Sequence, residues 1–273
     1  MKSLCGFIRI FAVKGSPTLS MTASATDSDV REMKSCFNMK DDETEVLRAS
    51  PVQDHVNFQA VRRPPNGVGF DGDFSNSGCF GPGLGQLLCR IYLDKFISDV
   101  RNGIDPKKAM IFFRTEMQLI SAYEYLLEKL PWFEGDHKNI PFMMCHGADK
   151  NIIARKKEIK LFVCTSKILM GIIDINYIQI VIFVRPMNQL QKIIQGAGRA
   201  GRKKASGTRH RVLVYILFNS QDLGGNVPGL EDSVRTFCTS QACLKGLLGL
   251  HFDGKPAVSN TPEWCCSSCD LIS

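Results

Sequence analysis

The chain has 273 residues, 44% of them hydrophobic and 22% charged, which is enough to bury one substantial core with a small appendage. No run reaches about 18 apolar residues, which excludes a membrane-spanning helix and predicts a soluble protein with no membrane partner. Thirty-four Lys and Arg against 27 Asp and Glu leave a formal charge of +7 and a pI near 8.8, with bases clustered at Arg155–Lys157, Arg199–Lys204 and Arg209–Arg211. Together such clusters suit an anionic backbone, and any one of them alone also suits a solvated helix face.

In chain order, residues 1–13 are apolar, but Arg9 interrupts them and no small-residue cleavage site follows, so no signal peptide is read. Residues 18–26 read as a strand running into small hydroxyl residues, and a helix begins near Asp27, a good N-cap. Asp41-Asp42-Glu43 is a turn-like acidic cluster. Residues 64–85 contain seven glycines with Pro, Ser and Asn, and read as a flexible insertion between the domain's first strand and a helix from about Leu87 to Arg101. Ala109–Thr115 is a buried-strand run, followed by Leu119, Tyr123, Leu126, Leu127 and Leu130 at helical spacing until Pro131 ends the helix.

Further apolar runs of strand length stand at 142–145, 161–166, 178–184 and 212–218, and β-branched residues throughout 178–184 fit a strand covered on both faces. Strands alternating with helices predict an α/β fold, a parallel sheet with helices on both faces. Between the last two runs, Gln195-Gly196-Ala197-Gly198-Arg199-Ala200-Gly201-Arg202 sets two guanidinium groups three residues apart at the end of a helix-like stretch. The planar guanidinium fork suits a phosphoryl group or a nucleic-acid backbone, and the glycines leave the approach open.

Six of the 11 cysteines are scattered singly up to Cys164, which fits buried thiols in a reducing compartment. The other five, Cys238, Cys243, Cys265, Cys266 and Cys269, fall within the last 36 residues. Cys266-Ser267-Ser268-Cys269 has the spacing that lets two thiolates face one zinc ion, and a distant Cys on a helix can complete the site. A short tail with Pro256 and Pro262 buries little apolar surface, so zinc binding would supply its folding free energy; metal loss is expected to loosen the tail and leave the α/β domain folded.

Gln195 to Arg202 resembles motif VI of the superfamily-two helicases, Q-x-x-G-R-x-G-R. The strand to Thr165 and Ser166 followed by Met170-Gly171-Ile172-Ile173-Asp174 looks like motif V of the RecQ-like helicases, with one extra residue before the Asp. The unit at 109–130 looks like motif IV, His146-Gly147 resembles the end of the strand before motif V, and Thr22 to Thr26 resembles motif III. In the tail, Gln241-Ala242-Cys243-Leu244-Lys245, Phe252-Asp253-Gly254 and the closing C-x-x-C-D resemble the RecQ zinc segment. The match carries over Cys243, Cys266 and Cys269 as ligands. The positions expected for the fourth are Ile272 and Glu263, so Cys265 or Cys238 would have to substitute.

The resemblance implies a RecA-like helicase C-terminal domain over 27–222, the end of a first RecA-like domain over 1–26 and a small helical zinc subdomain over 223–273. It implies Arg202 as an arginine finger, with Arg199 and Gln195 linking nucleotide state to domain closure. Gly171 and Asp174 would lie at the nucleotide edge; Thr165, Ser166 and Arg114 would contact DNA, and Thr22 to Thr26 would touch DNA or relay between domains. The intact enzyme would use ATP and magnesium for 3'-to-5' unwinding of DNA inside the cell, in the nucleus. No phosphate loop and no acidic pair at a strand end are found, so the chain is expected to begin just before motif III and to be inactive alone. Three readings follow: part of a helicase, a stand-alone nucleic-acid-binding module, or a regulatory partner of a complete helicase.

Overall fold

The computed structural model describes residues 24–47, 49–62, 84–131, 140–145, 159–165, 177–200, 210–260 and 264–270. Six strands form one sheet: β1 (Val56–Arg62), β2 (Ala109–Phe113), β3 (Phe142–Cys145), β4 (Leu161–Thr165), β5 (Ile180–Phe183) and β6 (Val212–Phe218). Their order is β1-β6-β5-β2-β4-β3, and every neighbouring pair is parallel. Seven α-helices accompany them among the described residues: α1 (Asp27–Phe37), α2 (Leu84–Arg101), α3 (Glu116–Lys129), α4 (Leu190–Ala197), α5 (Asp232–Thr239), α6 (Leu244–Asp253) and α7 (Ser267–Asp270).

The central strands β2, β4 and β5 are buried at every residue, because both faces of the sheet are covered. Side chains divide with period two. Met110 and Phe112 of β2, Phe162 and Cys164 of β4, and Val181 and Phe183 of β5 enter one core, with α4, α5, α6 and the segment at Cys265–Cys266. Ala109, Ile111 and Phe113, with Leu161, Val163 and Ile182, enter the other, against α2 and α3. Every helix from residue 190 onward that reaches a core thus lies on one face.

The element boundaries follow from capping. Thr26 caps α1 through a capping box with Asp29, and Asn38 closes it at φ 54° with its N–H on the Lys34 and Ser35 carbonyls. The strand expected over 109–115 stops at Phe113, because Thr115 is instead the N-cap of α3 and accepts from the Gln118 N–H. Similarly, β5 is shorter than the run 178–184. Leu84 and Gly85, assigned from sequence to the glycine-rich insertion, instead open α2. The acidic cluster forms one 3-10 turn, Asp41–Glu43.

Candidate nucleic-acid interface and metal centre

Parallel α/β sheets bind ligands beyond the carboxyl ends of their strands, where backbone ends and helix starts converge. At that end β2 and β4 are in register, with Phe113 opposite Thr165. Arg114, the residue after Phe113, is exposed, so two of the DNA-contact candidates, from separate motifs, come to one end of the sheet. Thr165 is 3% exposed, and its Oγ1 has no hydrogen-bond partner among the described residues. A buried hydroxyl without a partner carries a desolvation penalty.

The helix of the arginine motif is held by its apolar face. Leu190, Ile193, Ile194 and Ala197 are buried, while Gln195 and Arg199 are half-buried. Its end tightens: Gly198 N–H donates to the Ile194 carbonyl at 2.8 Å, Arg199 N–H to Gly196 at 3.1 Å and Ala200 N–H to Ala197 at 3.0 Å. The backbone direction at Arg199 is therefore fixed by the helix rather than by a free loop.

A contact unforeseen from sequence ties this helix to the Thr26 segment. Asp29 Oδ2 accepts from Thr26 N–H and Thr26 Oγ1, each at 2.8 Å, and from Gln191 Nε2 at 2.6 Å. Gln191 lies one turn before Gln195, so the cap of α1 and the arginine helix share one carboxylate. No local sequence signal marks Gln191. At the same sheet end Asp222, 4% exposed, exchanges hydrogen bonds with Asn219 and pairs with Arg185 Nε at 3.4 Å, locking the turns after β5 and β6 together. Of the other sequence candidates, Thr22, Ser166, Gly171, Asp174 and Arg202 lie outside the described residues, as do His146 and Gly147.

Four cysteines converge on the same face of the sheet as α4, beside the edge strand β1. The sulfurs of Cys243, Cys265, Cys266 and Cys269 all lie within 4.8 Å of one another. Cys243 and Cys265 are 3.4 Å apart and Cys266 and Cys269 3.6 Å apart, far longer than a disulfide and close to the roughly 3.8 Å edge of a tetrahedral zinc–thiolate site. The donor set therefore fits a zinc ion. Cys238, the other candidate for a fourth ligand, is buried outside this cluster, where burial and then the charge of Asp222 push its thiol up to about 12.

Backbone donors prepare the cluster. Cys243 caps α6, its sulfur accepting from Gly246 N–H at 3.5 Å, and Leu244 N–H donates to the Cys266 sulfur at 3.3 Å. Burial opposes ionisation of Cys243, but the Gly246 N–H and the neighbouring thiols outweigh it and lower its pKa. Burial, followed by the neighbouring thiols, raises Cys265 well above the usual thiol range, and also lifts Cys269 to about 11. Gly249 is required nearby, since a Cβ there would stand 2.3 Å from the Ala257 nitrogen.

The cysteine segment is built onto the sheet rather than appended to it. β1 is an edge strand, and its exposed side is met by Phe58 N–H donating to the Cys265 carbonyl at 3.4 Å and Ala60 N–H to Ser267 Oγ at 3.3 Å. Trp264 Nε1 donates to the His55 carbonyl at 3.0 Å, and Asn260 holds the Asp54 carboxylate through its backbone N–H and Nδ2.

Residues 89–204, spanning α2 to the arginine motif, match the helicase conserved C-terminal domain. Over those residues the fold is that of a RecA-like helicase C-terminal domain. Similar solved structures include Dbp5 of S. cerevisiae bound to RNA and ADP BeF3, at 15% identity over 79% of this chain and 48% of that chain, TM-score 0.49. The helicase Lhr of Mycobacterium smegmatis, bound to ssDNA and AMP-PNP, is 18% identical over 62% of this chain and 20% of that one, TM-score 0.39. The DUF1998 helicase MrfA bound to DNA is 19% identical over 47% and 18%, TM-score 0.35. The chain thus spans less than half the length of each. No curated protein sequence matches it.

Proposed function

We propose that this helicase C-terminal domain is the second RecA-like half of a RecQ-like DNA helicase motor, with a structural zinc site built against its sheet. The observation that carries the reading is the tetrad of cysteines clamped to β1 of a helicase C-terminal fold. Zinc held by Cys243, Cys265, Cys266 and Cys269 would cross-link α6 to the segment covering β1. Single-stranded DNA would track the carboxyl end of β2 and β4, with Arg114 positioning a phosphate and Thr165 and Ser166 contacting the backbone. The boundaries proposed are 1–26 for the end of a first RecA-like domain, 27–222 for the second and 223–273 for the zinc subdomain.

ATP and magnesium would be held by a first RecA-like domain, and Arg202 would reach the terminal phosphate across the cleft, with Gly171 and Asp174 at the nucleotide edge. Arg199 and Gln195 would follow closure through α4, and the Asp29–Gln191 contact would carry it to Thr26. The working place proposed is the nucleus. ATPase assays with and without single-stranded DNA test the division of labour. The chain alone should show no DNA-stimulated hydrolysis, whereas hydrolysis by this chain that Arg202→Ala abolishes would mean it holds a nucleotide site of its own.

A further inference from the structure

Lys245 is 0% exposed, and its ammonium is fully hydrogen-bonded: Nζ donates to the Asp54 carbonyl at 3.0 Å, the Trp264 carbonyl at 3.3 Å and Ser259 Oγ at 3.4 Å. All three acceptors are neutral. The Asp54 carboxylate bonds Asn260, and the ammonium meets that residue through its backbone carbonyl. A buried cation without a counter-charge is costly, and a chain tolerates one where an anion is gained. Beyond the Asp54 carboxylate, which Asn260 engages, the cysteine cluster is the source of negative charge that the Lys245 contacts lead to. Lys245 lies two residues after Cys243, and its acceptor Trp264 immediately precedes Cys265. A divalent ion held by four thiolates is a buried dianion, which itself needs positive charge and N–H donors around it.

We propose that the Lys245 ammonium is the fixed positive charge that offsets the metal–thiolate cluster, and that it positions the Trp264–Cys265 backbone for coordination. The inference rests on the metal reading above. It assigns Lys245 two coupled tasks. Its three bonds tie α6, the loop before β1 and the residue before Cys265 at one point, and its charge lowers the cost of collecting four thiolates in a dry site.

The test is zinc affinity of the full chain, measured by competition with a chromophoric chelator. Lys245→Met should weaken zinc by about 10- to 100-fold, the range for removal of a supporting group around a metal. Cys269→His, at a partly exposed ligand, turns the dianionic site into a monoanionic one; in that background the Lys245→Met loss should be clearly smaller. A purely structural Lys245 would cost the same factor in both. Ser259→Asp, which places a carboxylate beside the ammonium without removing it, should also weaken zinc and serves if Lys245→Met fails to fold. Equal losses in the two ligand backgrounds, or zinc affinity unchanged in both Lys245→Met and Ser259→Asp, overturn the charge assignment alone. A natural-sequence chain that binds no zinc overturns the metal reading and this inference together.

Discussion

At Thr165 the proposed DNA contact and the stability of the fold make opposite demands. Its hydroxyl is buried at the end of β4 with no hydrogen-bond partner among the described residues. Replacing it by the isosteric Val removes an unsatisfied polar atom, so Thr165→Val should leave stability unchanged or raise it by about 1 kcal/mol in urea unfolding. The same variant should bind single-stranded DNA several-fold more weakly. A loss of stability with unaltered binding would assign the hydroxyl to the fold instead. Cys164 and Cys145 face each other across β3 and β4, and burial, with Cys145 as the lesser cause, raises the Cys164 thiol far above its ordinary value. Neither serves the site, and both should resist alkylation in the native chain at pH 8.

At the scale of elements, the contact between the cysteine segment and β1 changes what metal loss should do. From sequence, metal loss is expected to loosen the tail and leave the α/β domain folded, because a short segment with Pro256 and Pro262 buries little apolar surface. The hydrogen bonds from Phe58 to Cys265 and from Ala60 to Ser267 instead make the segment the cover of an edge strand. Stripping the proposed zinc should therefore raise hydrogen exchange at the amides of Phe58 and Ala60, along with that of α6 and α7, while β2 and β4 stay protected. Unchanged exchange in β1 would restore the picture of a separable tail.

At the scale of the whole molecule, the parts legible in the sequence are those written locally. β2, β4 and β5 are continuous apolar runs because both faces of the sheet are covered, and that burial is what the residues 109–113, 161–165 and 180–183 spell out. The helix of the arginine motif and the C-x-x-C were readable for the same reason. What stayed hidden depends on partners far along the chain. Lys245 finds its acceptor 191 positions away at Asp54, and Gln191 finds Asp29 162 positions away. The choice of Cys265 over Cys238 as the sulfur that joins Cys243, Cys266 and Cys269 likewise turns on the docking of residues 264–266 against β1, which spacing alone does not encode.

A salt titration of binding to matched DNA and RNA oligonucleotides tests the proposed engagement of a single-stranded DNA backbone at the carboxyl end of the sheet. The chain should prefer DNA, with log affinity falling linearly with log salt and a slope shallower by about 0.7 in Arg114→Ala for the lost phosphate contact. A salt-independent affinity, no retention at low ionic strength, or preference for RNA with an unaltered slope in Arg114→Ala would contradict that engagement.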